Sequence, residues 1–479
     1  MNKLKKSLAL VAMLAIASTA FVGCGDDTDA GNKPADTTAA PAETTAAPAD
    51  DDADTEETTP ADDAAPAIKF EDSDPTLSIL CWTPDDVTKM IENFGDDNVK
   101  YVNVGSNGQE AREQYTTYFA GGEDVDLFVL EADWILDYIN NDEYCAPLSD
   151  LGFTEADFDG CYDYTVSIGT NEAGVLKAAS WQATPGAYVY RTDLAESILG
   201  AKTRDEMQAL CKDWATFEKT AETAAAKGVA MADTLGGMWQ VYQYNKDNAW
   251  VVDNKLVVDD YCKDYAELAK RWSDKGYVTN VAQWAEDGSW YQIGQDGKTM
   301  GYFFCTWCLG AGSMLSNASG GVNDDGTPVN PDVYGKWNIC TGPSSYAWGG
   351  SWLAVSPKCN TGTLAHDFVE YFTVNEESME EYALFKSEFV NNPTVMKKIV
   401  DDGANKNPLL GGEDQFAVLY EAAGLIDMDG KITKYDSVIK GDFNDAVNKY
   451  VNGDYADVDT MITEFKKSVA ADVEGIEVE

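Results

Sequence analysis

Tryptophans stand near the predicted ends of strands in this chain, several of them beside acidic or amide side chains. An indole offers a large flat apolar surface and loses little rotamer freedom when a ligand lies against it. Carboxylates and amides supply hydrogen-bonding groups, and charged acceptors make the stronger bonds. These residue types suit the non-covalent capture of a small molecule that has both apolar faces and hydroxyl groups. The candidate site residues are Trp82, Glu131, Asp133, Trp134, Trp181, Gln182, Trp307, Trp348 and Trp352.

Each candidate also has an ordinary structural interpretation. Trp352 precedes a Leu-Ala-Val run, and the alternation of a strand can turn its side chain into the core. For the carboxylates, the alternative is a solvated charge at the end of a strand, and Asp85 is interpreted as a helix-start charge. We expect at least two of the six tryptophans to contact ligand, with Trp82 and Trp181 first among them.

Histidine is almost absent from the chain, which restricts the catalytic chemistry. The one histidine, His366, lies in a segment with helical periodicity and is interpreted as a packing or surface residue. A Ser-His-Asp or Cys-His centre would need it, and a zinc site with several histidine ligands is excluded. Glycoside hydrolysis needs only two carboxylates, for example Glu131 and Asp133. Reversible binding without catalytic residues, cofactor or metal is therefore the first interpretation, and a glycoside hydrolase is the alternative.

Two motifs resemble metal or redox sites but are interpreted as structural. The segment Cys305-Thr-Trp-Cys308 has zinc or redox spacing, yet no second cysteine pair stands at ribbon spacing and the segment is strand-like and apolar. Residues 427–436 resemble most of a calcium loop. Leu425 occupies its first ligand position and Asp436 replaces its final glutamate, so we expect an ordinary turn between helices.

The segments that must position the candidate residues alternate between strands and helices. Strands are predicted at 76–82, 99–104, 126–130, 177–190, 299–307, 334–340 and 346–355, with the fourth interrupted at Thr184-Pro-Gly186. Helices are predicted at 83–91 and 110–119, between the first three strands. This alternation predicts an α/β fold with a parallel sheet, whose strands present ligand-binding groups at their carboxyl ends.

The N-terminus is predicted to export the chain and attach it to a membrane. Lysines at positions 3, 5 and 6 precede an uncharged Ala- and Leu-rich run that ends at Gly23-Cys24, the layout of a signal peptide over residues 1–23. The tetrapeptide ending at Cys24 resembles the bacterial lipobox, which implies lipidation (palmitate) of this cysteine. Residues 24–67 are rich in Asp, Glu, Thr, Ala and Pro, and such a composition predicts a disordered tether.

Charge and cysteine content narrow the partners further. The formal net charge is −49 at pH 7, which argues against nucleic acid and favours a neutral ligand. Nine cysteines follow Cys24, an odd number that cannot pair completely within the chain. Most lie beside apolar residues, and we interpret them as buried free thiols.

Four stretches, in this order, resemble the extracellular solute-binding proteins of bacterial ABC importers, specifically the family 1 proteins that bind carbohydrates. They are 126–134 with 146–152, 181–193, 297–307, and 348–355. The resemblance implies a two-lobed periplasmic-binding-protein-like α/β fold with a hinge and a ligand cleft between the lobes. It places lobe 1 at about 68–183 and 299–345, and lobe 2 at about 184–298 and 346–479. The first crossover would lie near Thr184-Pro-Gly186, 299–307 would return to lobe 1, and 346–351 would cross again.

The resemblance also implies a function. We expect a lipid-anchored protein on the extracellular face of the cell membrane that captures a neutral sugar or oligosaccharide and delivers it to ABC permease subunits. It should be a monomer that touches the membrane only through its anchor. An adhesin or sensor with the same fold is not separated from an importer component by the sequence.

Overall fold

The computed structural model describes residues 67–121, 125–310 and 312–479, all within one unit, Asp63–Glu479. The signal peptide, Cys24 and the tether up to residue 66 lie outside the described residues. The strands are β1 Leu77–Cys81, β2 Val99–Asn103, β3 Leu127–Glu131, β4 Ala178–Ser180, β5 Gly186–Arg191, β6 Ala230–Ala232, β7 Val251–Val252, β8 Lys255–Leu256, β9 Thr299–Cys305, β10 Trp337–Cys340 and β11 Ser351–Val355.

The helices cover both sheets and form most of the C-terminal third of the described chain. They are α1 Pro84–Phe94, α2 Gly108–Gly121, α3 Leu136–Ile139, α4 Asp163–Gly169, α5 Thr192–Leu194, α6 Arg204–Cys211, α7 Trp214–Ala225, α8 Leu235–Tyr242, α9 Asp260–Lys275, α10 Ser289–Gln295, α11 Met314–Ala318, α12 Gly362–Thr373, α13 Glu376–Lys386, α14 Pro393–Asp402, α15 Phe416–Ala423, α16 Asp436–Val451 and α17 Val458–Asp472. Short 3-10 turns lie at Leu148–Leu151, Glu155–Phe158, Thr306–Cys308 and Pro408–Leu410, and a π-helical turn lies at Ala195–Leu199.

Local sequence explains where several helices begin and end. Helix α1 begins at Pro84, whose missing N–H is no loss in a first turn, and ends at Gly95 with φ 79°, a left-handed conformation that glycine adopts readily. Helix α6 begins with a capping box, in which the Thr203 side chain accepts a hydrogen bond from the Glu206 N–H and the Glu206 carboxylate accepts one from the Thr203 N–H. These signals set the bounds of α1, which follows the carboxyl end of β1, and of α6, which packs on β10.

The first sheet has the strand order β2-β1-β3-β11-β4. Strand β1 runs parallel to β2 and β3, as the alternation of strands and helices predicts, whereas β11 runs antiparallel to both β3 and β4. Because of these directions, the carboxyl ends of β1, β3 and β4 share one edge with the start of β11. The residues after Cys81 and Glu131 and those before Ser351 therefore lie at this edge.

The second sheet has the strand order β10-β5-β9-β6, with β9 antiparallel to β5 and parallel to β6. Strand β9 is buried along its whole length because it is a central strand with a neighbour on each side. It therefore belongs to the second lobe, whereas the resemblance assigned residues 299–345 to the first. Strand β11 lies in the first sheet, and α12 packs on α1 and β4, so 346–479 does not belong wholly to the second lobe either.

Two crossing segments connect the lobes side by side. One runs from β4 to β5 through Thr184 and Pro185, close to the predicted first crossover, and the other runs from β10 to β11. Pro185 forms an isolated antiparallel bridge with Ala347, and Trp348 donates its N–H to the Thr184 carbonyl at 3.1 Å. Thr184 has a φ of 42°, a strained conformation for a β-branched residue. The crossing point is thus a short, hydrogen-bonded ribbon with local strain.

The remaining helices attach to these lobes. Helix α15 packs on β5, and α16 packs on both α9 and α17. Residues 427–435 form an irregular turn that leads into α16, consistent with the interpretation as a turn between helices. Within the described ranges, no helix is both long and apolar enough to cross a membrane.

Candidate ligand-binding cleft

Two tryptophans of the first lobe lie at the carboxyl edge of its sheet. Trp82 follows β1 and is half-buried, and Trp134 follows β3 with only 6% of its surface exposed. Their ring centroids are 5.9 Å apart. Parallel strands bring these positions together, because Ile79 of β1 pairs with Leu127 of β3.

Three further tryptophans lie on the second lobe and the crossing ribbon. Trp307 follows β9, Trp348 lies on the ribbon, and their ring centroids are 4.9 Å apart. Trp307 donates its indole N–H to the Trp348 carbonyl at 3.0 Å. The third, Trp284, is stacked nearly parallel to Trp307, with 6.4 Å between the centroids and 10° between the planes.

Trp284 is a residue that strand-end reasoning misses, because it lies in a loop between α9 and α10. It is 47% exposed and has a φ of 63°. A bulky residue in the left-handed region costs free energy, and such strain concentrates at functional sites. Trp290 supports it from beneath, with its ring 4.8 Å from that of Trp284 and its indole N–H donated to Asp233 at 2.8 Å. A large aromatic residue in a polar stretch without strand or helix periodicity was the available signal.

The pairs Trp82–Trp134 and Trp284–Trp307 connect two cavities between the lobes. A cavity of about 700 Å³ is lined by Trp134 from the first lobe and Trp284 from the second. A cavity of about 400 Å³ is lined by Trp82 from the first lobe and Trp307 from the second. Each pair therefore contributes one ring to each cavity, so a molecule that spans both meets aromatic surfaces on both lobes.

Polar groups from both lobes meet in the larger cavity. Asp133 of the first lobe is ion-paired with Lys440 of α16, and it accepts a hydrogen bond from the Tyr244 hydroxyl at 2.9 Å. Lys440 also donates to the Tyr244 hydroxyl at 2.9 Å. Although burial opposes ionisation, the Lys440 ammonium and these hydrogen bonds lower the pKa of Asp133 below its usual value. Asp133 therefore stays ionised, and the Lys440 ammonium balances its charge.

Glu131 behaves differently in the same cavity. Burial, reinforced by the Asp133 carboxylate, raises the pKa of Glu131 to about 8. The Asp133 N–H donates to one Glu131 oxygen at 3.0 Å. At neutral pH the protonated carboxyl can therefore both donate and accept a hydrogen bond, which suits a hydroxyl group.

The smaller cavity likewise contains one carboxylate in an ion pair and one carboxyl group that is protonated at neutral pH. Asp86, in the first turn of α1, forms an ion pair of 2.8 Å with Lys386. Burial, followed by the charge of Asp86, raises the pKa of Glu388 to about 8. Glu388 accepts hydrogen bonds from the Gln182 side-chain amide at 3.0 Å and from the Tyr382 hydroxyl at 3.1 Å.

Three predicted site residues lie in the core of the structure. Trp181 has no exposed surface, because its ring stacks on Phe372 of α12 at 4.5 Å. Trp352 is 1% exposed, since it lies on the central strand β11. Gln182 is 5% exposed and contacts Glu388 from behind the cavity wall. We leave these three residues out of the proposed site.

The remaining motifs lie away from the cleft or within the core. His366 packs on Phe153 at 4.6 Å, and its Nδ1 lies 2.7 Å from the Leu151 carbonyl. The Sγ atoms of Cys305 and Cys308 are 3.7 Å apart, and both residues are buried. In the part of the chain that the structure describes, no cluster of three or more His, Cys, Asp or Glu side chains is arranged to hold a metal ion.

Two α/β lobes, joined by a crossing ribbon and facing each other across a tryptophan-lined cleft, define the periplasmic-binding-protein-like fold. Solved structures with this fold include an "extracellular solute-binding protein family 1" (18% identity, TM-score 0.70, covering 82% of this chain and 99% of that chain). Another is the ABC-transporter-associated binding protein of B. animalis subsp. lactis Bl-04 in complex with β-1,6-galactobiose (16%, 0.63, 83% and 97%). A third is the galacto-N-biose-/lacto-N-biose I-binding protein of Bifidobacterium longum with lacto-N-biose (15%, 0.64, 84% and 98%).

At these identities the likeness establishes the fold. No protein-family model matches the sequence, and no curated protein sequence matches it.

Proposed function

We propose that this protein is the extracellular substrate-binding component of an ABC importer and captures a neutral sugar or oligosaccharide. The observation that carries the proposal is the pair of cavities joined by tryptophans from both lobes. Indole faces match the apolar C–H faces of a sugar ring, and the carboxyls beside them match its hydroxyl groups. The B. animalis and B. longum neighbours, which share the fold, are described in complex with saccharides.

The charges in the cleft support a neutral ligand. Asp133 is neutralised by Lys440 and Asp86 by Lys386. Glu131 and Glu388 are uncharged at neutral pH because burial raises the pKa of each to about 8. An anionic ligand would find no free cation among the described lining residues, because Arg112 is likewise paired with Asp137, and the net charge of −49 repels anions from the whole surface.

The proposed contact residues are Trp82, Trp134, Trp284, Trp307, Trp348, Glu131 and Asp133. The mechanism is closure of the lobes about the crossing ribbon, with the ligand held between tryptophans of both lobes. The closed form would then be recognised by the permease subunits.

Glycoside hydrolysis is disfavoured by the placement of the carboxyls. Hydrolases place two carboxyl groups on either side of the scissile bond. Glu131 and Asp133 stand two residues apart on the same lobe, and Asp133 is held by Lys440. A retained ligand is therefore the expected outcome, with no release of reducing ends when the purified protein is incubated with an oligosaccharide it binds.

A thermal-shift experiment tests the ligand class. The purified protein is scanned with maltose, cellobiose, xylobiose, β-1,6-galactobiose and lacto-N-biose, with longer members of these series, and with free amino acids and tri-alanine. A ligand present at a hundred times its Kd stabilises the folded state by about 2.7 kcal/mol, which raises the midpoint clearly. Stabilisation by a saccharide supports the proposal. Stabilisation by an amino acid or tri-alanine alone, or liberation of reducing sugar, contradicts it.

We also propose that Cys24 carries the lipid anchor, with the acidic tether holding the domain clear of anionic lipid headgroups. The supporting observations are the lysines at positions 3, 5 and 6, the apolar run and the Gly23-Cys24 dipeptide. Labelling with an alkyne palmitate analogue should mark the parent protein in cells, whereas Cys24→Ala should remain unlabelled. Equal labelling of both would contradict the assignment.

A further inference from the structure

A groove in the second lobe continues from the larger cleft cavity. It has a volume of about 910 Å³ and lies between α8, α9, α16 and the loop at residues 279–283. Trp239, Gln240 and Asn444 line both the groove and the larger cavity, so the two spaces meet at these residues. The groove extends the cleft away from the first lobe.

The lining of this groove differs in kind from that of the cleft. Four ionisable side chains line each cleft cavity, whereas none of the described residues that line the groove is ionisable at neutral pH. This is unexpected in a chain with 24% charged residues. Side-chain carboxamides take the place of charges, and those lining the groove are Gln240, Asn280, Gln283, Asn444, Asn448 and Asn452.

Helix α16 arranges part of this lining as a ladder. Lys440, Asn444 and Asn448 are spaced four residues apart, and Asn452 follows at the same spacing just after the helix ends. Neighbours four residues apart lie one turn apart on the same side of a helix, so this row leads from the ion pair with Asp133 in the cleft into the groove. Twelve residues at about 1.5 Å each span about 18 Å along the helix axis.

The other wall holds an amide with unused hydrogen-bonding capacity. The side-chain nitrogen of Gln283 is buried without a partner among the described residues. The Gln283 side chain packs closely on α8, because a Cβ atom on residue 236 would come within 2.6 Å of the Gln283 side-chain oxygen. A buried amide donor without a partner is costly, and a ligand hydroxyl in the groove would satisfy it.

We propose that this groove binds the further units of a linear, uncharged oligosaccharide whose first units occupy the cleft. Carboxamides both donate and accept hydrogen bonds, as sugar hydroxyls do, so each can pair with a hydroxyl in either role. Trp239 at the junction, with Val281 and Val447 in the groove, supplies apolar contact for ring C–H groups. The inference rests on the proposed function and adds that the ligand is longer than a disaccharide.

The experiment compares short and long ligands on groove variants. Isothermal titration calorimetry is performed with the disaccharide and the hexasaccharide of each of the malto-, cello-, xylo- and β-1,6-galacto- series. The proteins are the parent, Asn280→Ala/Asn448→Ala, and Asn98→Ala as a matched control. Asn98 is an exposed amide before β2, at the opposite edge of the first sheet from the cleft.

The expected result is that in at least one series the hexasaccharide binds the parent about tenfold or more tightly than the disaccharide, because several added hydrogen bonds each contribute modestly. The double variant should lose most of that advantage while its affinity for the disaccharide stays within about twofold. Asn98→Ala should behave as the parent. A circular-dichroism melt confirms that each variant is folded, and a second pair, Asn448→Gln and Asn280→Gln, should retain part of the advantage.

Failure of this inference is distinguishable from failure of the proposed function. If disaccharides bind but hexasaccharides bind no better, or if the folded double variant keeps the full length advantage, the groove is not a binding site and the cleft proposal stands. If no saccharide binds the parent at all, both proposals are overturned.

Discussion

Trp284 and Trp181 should respond in opposite ways to replacement by alanine, since one faces the cleft and the other lies in the core. Trp284 is 47% exposed, whereas Trp181 has no exposed surface. A tryptophan offers up to ~250 Å², so about 120 Å² of Trp284 is open, and a sugar on one face would cover roughly half of it. At ~25 cal/mol per Å², that contact contributes about 1.5 kcal/mol, or about a tenfold change in Kd.

Trp181→Ala should lower the free energy of unfolding more than Trp284→Ala does, the reverse of their effects on affinity. Trp181→Ala leaves a large cavity between β4 and α12, and such changes cost about 3–5 kcal/mol of unfolding free energy. Trp284→Ala should cost roughly half of that, because about half of the ring is already in solvent and the space it leaves opens into the cleft. The φ of 63° is kept by alanine, so no strain is relieved.

Both quantities can be measured on the same samples. Affinity is measured by calorimetry with the saccharide that gives the largest thermal shift, and stability by urea unfolding followed with far-ultraviolet circular dichroism. We expect Trp284→Ala to bind about tenfold more weakly, and folded Trp181→Ala to bind within about twofold of the parent while unfolding at lower urea. The reasoning is refuted if Trp284→Ala binds as tightly as the parent, or if Trp181→Ala loses affinity without losing stability.

Three further predictions concern stability and reactivity. Burial raises the pKa of Asp233 to about 6. Because the Asp233 carboxyl holds its proton more tightly in the folded state than in the unfolded state, the parent loses stability as pH rises through 6. In urea titrations, the unfolding free energy of Asp233→Asn relative to that of the parent should therefore rise by about 3 kcal/mol between about pH 4 and about pH 7. A difference in unfolding free energy that does not change with pH would contradict this. Burial raises the pKa of the Cys161 thiol to about 12, and the other eight cysteines of the described residues are buried. Ellman's reagent at pH 8 should therefore modify these nine thiols only after guanidinium is added, and several fast-reacting thiols in the native protein would speak against the packing. Lys440→Met should lower the unfolding free energy by about 1–3 kcal/mol by leaving the half-exposed Asp133 without its cation, and adding Asp133→Asn should restore most of the loss; no recovery would show that the ion pair is not the cause.

The elements of the first lobe follow closely from local sequence. Residues 76–82, 99–104 and 126–130 are predicted strands, and the structure has β1, β2 and β3 at these places. Hydrophobic runs and helix-start residues are local signals, so a single sequence carries them. The lobe to which 299–305 belongs is not local information. That strand is apolar throughout, and only its pairing with β5 and β6, many residues away, assigns it to the second sheet.

The candidate site likewise contains residues that local sequence indicates and residues that only the tertiary structure brings in. Strand ends indicated Trp82, Trp134, Trp307 and Trp348. The structure pairs Trp82 with Trp134 and Trp307 with Trp348, and the first three line the two cavities. Trp181 also follows a strand, but Phe372 of α12 covers its ring. The residues near position 181 in the sequence do not indicate that α12 packs there. Polar partners such as Lys440 of α16 come from the far end of the chain and become visible only when the lobes are in place.

The position of β11 in the first sheet constrains how the protein can fold. This strand lies between β3 and β4, and Ser351 pairs with Glu131, a residue 220 positions earlier in the sequence. The sheet of the first lobe therefore has a gap between β3 and β4 until residue 355 has been synthesised, after the whole second sheet. A chain truncated before residue 351 should have no stable first lobe, and pairings between such distant segments form slowly. The folding of the first lobe is therefore coupled to that of the second, because the first lobe cannot form until most of the molecule is available.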